Sequence, residues 1–408
     1  MKIIADENIP FVKECFASIG EVRALSGRRI TPGVVAEADI LLVRSITPVN
    51  EKLLSNSKVK FVATATIGFE HVDVDYLNGR NIGFASAPGS NANSVAEYIV
   101  AALLSVVKKH KIMLEGKSIG VVGVGNVGSR VAKKCAALGM KVILNDPPLQ
   151  RQTGDEKYRP LEELFDCDFI TLHTPLIFEG QDKTYHLADE KFIASLKPGC
   201  VFINTSRGGV HDTSALKATI RSKKLGACIL DVWENEPNID CELLRMVDIS
   251  TPHIAGYSLD GKIAGMIMIY NTTCEHFGLK QKYKIEDFLP TPTVPQITIG
   301  KTGPDPSSPT GSAEASHQSI LHDIVQQVYT INRDDFNTRE ITIVEPEKRG
   351  KFFDDLRKNY PVRREFQNTT VVLATEGKKI LATESTEDTE KKLKNKLRGI
   401  GFQIKSEK

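Results

Sequence analysis

The run VVGVGNVGSRVA, from Val121 to Ala132, lies between an apolar strand-like stretch and a segment of helical spacing, with an acidic residue downstream at the distance a dinucleotide fold requires. Gly123 permits a tight strand-to-helix turn, Gly125 lets backbone N–H groups approach a pyrophosphate, and Gly128 lets the helix lie close on the sheet. SIGVVGV reads as the strand, Val127 to Leu138 as the helix, and KVILND as a second strand ending at Asp146, roughly 20 residues on. A carboxylate at that strand tip accepts hydrogen bonds from two ribose hydroxyls and repels a 2′-phosphate. Pro147 and Pro148 follow it, with no adjacent Arg or Lys, so the expected cofactor is NAD.

Around this turn, short β-rich runs alternate with helical stretches. KIIAD, EVRAL, ADILLVRS, KVKFVATAT and NIGFASA precede residue 88, and further strands are expected near Ile119, Val142, Phe169, Val201, Ile229 and Ile249. Alternation of this kind implies parallel sheets. The helical run from Asn93 to Lys109 carries the chain into the dinucleotide domain, and a helix beginning near Gly256 returns it to the first. The fold class expected is therefore α/β, with two Rossmann-like lobes and the active site in a cleft between them. The domain bounds are 1–92 with 256–280 for a discontinuous substrate domain, 93–255 for the NAD domain, and 281–408 for a small α+β C-terminal domain. Within the last, 300–316 is rich in Gly, Pro, Ser and Thr and reads as a flexible loop.

At 408 residues the chain can bury a sizeable core, and a formal net charge of +2 gives no reason to expect nucleic acid or a membrane surface as partner. The seven cysteines are scattered, with no C-x-x-C pair and no metal-ligand spacing, which suits reduced thiols and a cytoplasmic chain. No apolar run reaches spanning length and no signal-like segment opens the chain.

Three blocks after the glycine turn carry reactive groups at successive strand ends. LKPGCVFINTSRGG places Arg207 just past a strand, where a guanidinium can hold a carboxylate and polarise an adjacent oxygen. ILDVWENEP offers Asp231, Glu234 and Glu236, and DISTPHIAGY offers His253. Oxidation of a secondary alcohol needs a base for the hydroxyl proton, a task that suits imidazole. A carboxylate touching that ring would favour its protonated form; Glu236 is assigned that role ahead of Glu234.

IADENIP, VRSITPVN, TATIGFEHVD, HTPL, KTYHL, TSRGG, DVWENEP and TPHIAGYSLDGK resemble the D-isomer-specific 2-hydroxyacid dehydrogenases over roughly Met1 to Gly278. The resemblance implies a catalytic Arg207, Glu236 and His253. It also implies NAD contacts at Gly123, Gly125, Asn126, Val127, Gly128, Asp146, Thr174, Thr205, Ser206, Arg207, Asp231 and Gly256, with Asp231 facing the nicotinamide carboxamide. Substrate contacts are implied at Ser45, Thr66 and Tyr257, with Arg44 and Lys262 adding charge. The implied substrate is a small phosphorylated 2-hydroxy acid. FDDLRKNYPVRREF, from Phe353, resembles a C-terminal dimerisation domain found in one branch of the family, so a homodimer is expected. Two other readings are a related dehydrogenase acting on 3-phosphoglycerate and an NAD-responsive binding protein that does not turn over.

Overall fold

The computed structural model describes residues 1–299, 313–373 and 386–406. They form two compact units, one comprising Met1–Asn93 with Tyr257–Thr291 and the other Ser94–Gly256 with Pro292–Lys408.

In the first unit, strands β1 (Lys2–Asp6), β2 (Glu21–Leu25), β3 (Ile40–Val43), β4 (Phe61–Thr64) and β5 (Gly83–Ala85) make one parallel sheet in the order β2-β1-β3-β4-β5. Every residue of β3 and β4 is buried, and alternate side chains feed opposite faces. Ile40, Leu42, Phe61 and Ala63 pack with Ile263, Met266 and Tyr270 of the helix Leu259–His276. Leu41, Val43 and Val62 pack on the other face with Val35, Leu54 and Leu77. Ser258 starts that helix by accepting the Gly261 N–H on its hydroxyl at 2.8 Å.

The second unit holds β6 (Ser118–Val122), β7 (Lys141–Asn145), β8 (Phe169–Leu172), β9 (Val201–Asn204), β10 (Ala227–Leu230) and β11 (Ile249–Ser250). They are parallel, in the order β11-β10-β9-β8-β6-β7, so the topological switch lies at β6 and β8, and the carboxyl ends of the strands there are the expected ligand edge. The helix Ala92–His110 is apolar nearly all round and almost wholly buried.

From Pro292 the chain adds helices Ala313–Val328, Ile331–Arg339, Arg349–Lys358 and Thr386–Ile400. It also adds a three-stranded parallel sheet of β12 (Gln296–Ile299), β13 (Thr370–Leu373) and β14 (Gln403–Ser406). Ile341 and Phe353 from this tail are fully buried in the same cluster as Trp233, Ile239 and Leu243. Of the loop expected over 300–316, residues 300–312 lie outside the described ones, while Ala313 to Ser316 belong to a helix, as their strong helix formers Ala and Glu allow. Strand β12 was not anticipated, because a short apolar run after Pro-rich TPTVPQ carries too few alternations to read as a strand.

Candidate active site

Gly123 leaves β6 with a φ of 84°, and the helix Asn126–Ala137 begins directly after Gly125. A Cβ on Gly128 would fall 1.9 Å from the Gly123 carbonyl oxygen, so only glycine lets this helix seat against its turn. A Cβ on Gly125, by contrast, would meet open space. Asp146 directly follows β7, which ends one residue short of the expected strand, and caps the next helix; its Oδ2 accepts the Val124 N–H at 2.7 Å and its Oδ1 the Leu149 N–H at 2.9 Å. A carboxylate offers about four acceptor positions, so two remain for ribose hydroxyls. The buried Thr174 hydroxyl oxygen has no partner among the described residues. Open room at Gly125, spare acceptors on Asp146 and the unanswered Thr174 hydroxyl fit a dinucleotide along this edge. Neighbouring His173 is held neutral by burial, which pushes its pKa down to about 3, and its ring spans Thr171 at 3.0 Å and Thr205 at 3.4 Å.

Arg207 follows β9 and leads a short 3-10 turn, Gly208–Val210. Its loop is folded over the buried side chain of Asn204, whose Oδ1 accepts the Ser206 N–H at 3.0 Å and the Ser206 hydroxyl at 2.9 Å, while Nδ2 donates to the Arg207 carbonyl at 3.0 Å. The guanidinium donates from Nη1 to the Ser206 carbonyl at 2.9 Å. A Cβ on Gly208 would lie 1.8 Å from the Trp233 carbonyl oxygen, which shows how tightly the Arg207 loop abuts the loop that carries Glu236.

His253 sits in the left-handed region, φ 59°, on a loop tied to Asp231. The Asp231 carbonyl accepts the His253 N–H at 2.7 Å. Its carboxylate, only 1% exposed, accepts the Thr251 hydroxyl at 2.6 Å and the Ile254 and Ala255 N–H groups at 2.7 and 2.9 Å. Burial pushes the Asp231 carboxyl above its ordinary range, against the opposing pull of His253 and these donors. Tyr98 completes the chain, since Thr251 gives its one proton to Asp231 and must accept from the Tyr98 hydroxyl at 2.7 Å. Trp233 braces the other side by donating from Nε1 to the Thr251 carbonyl at 2.9 Å.

His253 Nδ1 donates to Glu236 Oε2 at 2.7 Å, and Glu236 Oε1 accepts the Trp233 N–H at 2.9 Å. Burial raises the Glu236 carboxyl, but the imidazole charge and these hydrogen bonds outweigh it and leave the group below its ordinary range. With Nδ1 engaged, the neutral ring presents Nε2 as an acceptor, and no described residue hydrogen-bonds to it. Glu234 is elsewhere: it accepts from His186 Nε2 at 2.7 Å and from the Thr213 N–H at 2.9 Å. The geometry therefore brings Glu236, not Glu234, to His253.

In the first unit, Ser45 is exposed just beyond β3, and the ring of Tyr257 lies under Lys262 Nζ at 4.6 Å from its centroid. The Thr66 hydroxyl donates to the Gly68 carbonyl at 2.8 Å and therefore accepts from Thr64 at 2.6 Å. Its proton is committed to its own loop. Sequence reasoning missed Asn204, Thr251 and Tyr98. A polar residue at a strand tip was the available signal for the first two, whereas nothing local marks Tyr98 within its apolar helix.

Residues 102–255 match the family described as D-isomer specific 2-hydroxyacid dehydrogenase, NAD binding domain, and residues 304–384 match one described only as a domain of unknown function. Over 373 residues the chain is 42% identical to an erythronate-4-phosphate dehydrogenase of Escherichia fergusonii, covering 91% of this chain and 94% of that protein. The same enzyme of Shigella dysenteriae matches equally, at 42% over 91% and 94%. The chain belongs to the erythronate-4-phosphate dehydrogenase family. Its NAD-binding domain contains the glycine turn, Asp146, Arg207, Glu236 and His253. Among solved structures, a D-lactate dehydrogenase from Aquifex aeolicus complexed with NAD and lactic acid is 26% identical with a TM-score of 0.56, covering 68% of this chain and 96% of its own. The TT0316 protein of Thermus thermophilus shares the fold at a TM-score of 0.61 and 23% identity, over 69% of this chain and 98% of its own. These two structures cover 69% and 68% of this chain, so nearly a third of it has no counterpart in them.

Proposed function

We propose that this chain oxidises the C2 hydroxyl of 4-phospho-D-erythronate to (R)-3-hydroxy-2-oxo-4-phosphooxybutanoate, a step in pyridoxal 5′-phosphate biosynthesis. When bound, NAD supplies the acceptor for the hydride leaving C2. Nε2 of His253 takes the hydroxyl proton, and ionised Glu236 stabilises the resulting imidazolium and fixes which nitrogen faces the substrate. Arg207 binds the C1 carboxylate and the C2 oxygen, aiding the developing carbonyl. Asp231 holds the histidine loop through Ile254 and Ala255 and would face the nicotinamide carboxamide of bound NAD. Ser45, Thr66 and Tyr257 contact the substrate, Thr66 through its backbone or after yielding its bond to Gly68, and Arg44 and Lys262 complement the phosphate. The observation that carries the chemistry is the 2.7 Å His253–Glu236 pair with Nε2 left open; the substrate rests on the 42% identity to the curated enzymes.

The protein works as a cytoplasmic homodimer joined through its tail in this reading. No described helix is long and apolar enough to cross a membrane, six of the seven thiols are buried, and Phe336, Ile343 and Val362 leave apolar side chains exposed on the tail. Light scattering that finds a monomer at working concentration removes the dimer.

The deciding experiment follows NADH absorbance with purified protein, NAD and 4-phospho-D-erythronate, beside 3-phosphoglycerate and D-lactate. A 2-oxo acid is then added to regenerate retained cofactor, and the product oxo acid is assayed directly. Saturable turnover on phosphoerythronate alone is expected. Turnover only on another acid replaces the substrate, and none on any acid favours an NAD-responsive binding protein.

A further inference from the structure

The tail reaches the backbone on both sides of His253. Arg363, 7% exposed, donates from Nη2 to the Ala255 carbonyl at 2.7 Å and lies with its guanidinium 4.2 Å over the Tyr329 ring. The same Nη2 lies 3.4 Å from the Ser94 carbonyl, which joins this point to the start of the long apolar helix. On the other side, Asp335 Oδ1 accepts both the N–H and the hydroxyl of Ser250 at 2.7 Å. Arg339 fixes that carboxylate at 2.9 Å and donates to the Leu244 and Val247 carbonyls at 3.0 and 2.8 Å. The segment Ser250–Ala255 is thus gripped by Asp231 from the nucleotide domain and by two tail residues from outside it.

His253 holds a left-handed φ, a conformation that persists in a non-glycine residue only where the surroundings over-determine it. Asp231 pulls on the N–H groups after the histidine, and Arg363 pulls on a carbonyl of the same turn. A planar, always-charged fork stacked on an aromatic ring is well suited to fix such a carbonyl in a dry interior. We propose that Arg363 is a positioning residue for His253, so that the tail segment, beyond any role in dimerisation, completes the catalytic loop from within its own chain. This rests on His253 being the base of the reaction proposed above.

The test uses the full-length chain with R363M, R363K and a control, F402L, which disturbs the tail at the Phe366–Phe402 stack (4.8 Å between centroids) without removing the Arg363 bond to Ala255. Three readouts are taken: kcat and KM on 4-phospho-D-erythronate, NADH binding by fluorescence, and hydrogen exchange of the 250–256 amides. R363M is expected to lower kcat by about 10²-fold, the scale of a misplaced catalytic group, with NADH affinity kept and faster exchange confined to the loop. R363K, still able to donate to Ala255, recovers part of each. F402L leaves kcat and loop exchange at native values. Native kcat and native loop exchange in R363M overturn the proposal, as does a parallel loss of kcat in R363M and in F402L of matched stability. If R363M does not fold, R363K decides: a loss of kcat with native exchange of the 250–256 amides overturns the proposal. Should the native chain turn over no hydroxy acid, the proposed reaction falls, and loop exchange alone still decides whether Arg363 holds the turn.

Discussion

Two histidine–glutamate pairs draw their glutamates from the same stretch of sequence, and they use opposite ring nitrogens. His186 meets Glu234 and His253 meets Glu236, each at 2.7 Å, and both histidines are left-handed, with φ of 51° and 59°. Both carboxyls sit below their ordinary range, because hydrogen bonds and the partner imidazole outweigh the opposing effect of burial. The difference lies in which nitrogen is used. His186 gives Nε2 to Glu234 and turns Nδ1 toward Asp212 at 3.9 Å, so carboxylates face both ring nitrogens. His253 gives Nδ1 and leaves Nε2 without a hydrogen-bond partner among the described residues, the nitrogen assigned to the substrate in the proposed reaction. Proximity of a histidine to a carboxylate is therefore a poor guide to a base; the nitrogen left over decides.

That contrast can be broken by experiment. The largest effect expected is for His253→Ala, which should lower kcat/KM by about 10³–10⁴-fold, the upper range for a general base. His186→Ala should leave turnover nearly intact, and steady-state kinetics that reverse the two would reassign the base. Arg207→Ala should cost about 10²–10³-fold in kcat/KM while NADH binding by fluorescence persists, since in the proposed reaction it removes the charge that meets the reacting oxygens. Glu236→Gln should lower kcat on the order of 10²-fold and Glu234→Gln hardly at all, because in the proposed reaction only the first charge supports the imidazolium that forms. Equal kcat values in the two variants would erase the distinction drawn here.

The smallest effect concerns stability, where the two pairs should behave alike. A carboxyl lowered by folding binds fewer protons in the native than in the unfolded chain, so its contribution is present above the unfolded value of about 4.3 and lost as pH falls through the native one. Both Glu→Gln variants should therefore be less stable than the native chain at pH 7, with the gap closing at acid pH. Urea midpoints at several pH values measure this. A gap that widens on acidification would contradict the direction of both shifts.

Most elements were legible because their causes are local. Alternate residues of the short runs ILLV and FVAT feed two faces of a buried sheet, and Gly123, Gly125 and Gly128 encode a turn whose steric demands act within a few residues. The placement of Arg207, Asp231 and His253 just past three strands was also legible, since parallel strands deliver their carboxyl ends to one edge. Thr66 was legible as a hydroxyl at a strand end, but its bond to Gly68 was not, because it depends on how the following loop curls. The short strand Gln296–Ile299 escaped notice because its pairing with Thr370–Leu373 is made across more than seventy positions.

The sequence by itself determined the parallel α/β architecture, the glycine turn, the acidic residue after the second strand, and the small set of groups to which the proposed chemistry is assigned. Tertiary structure alone decided the rest. It settled which of two glutamates, two residues apart, reaches His253, and which ring nitrogen stays open. It also brought Arg363 to the carbonyl of Ala255, 108 positions earlier in the chain. The reason is physical. Periodicity and turn chemistry are set by neighbours within a few residues, whereas hydrogen bonds between buried groups are chosen by the packing that removes water from both partners, and that packing exists only once distant segments have met.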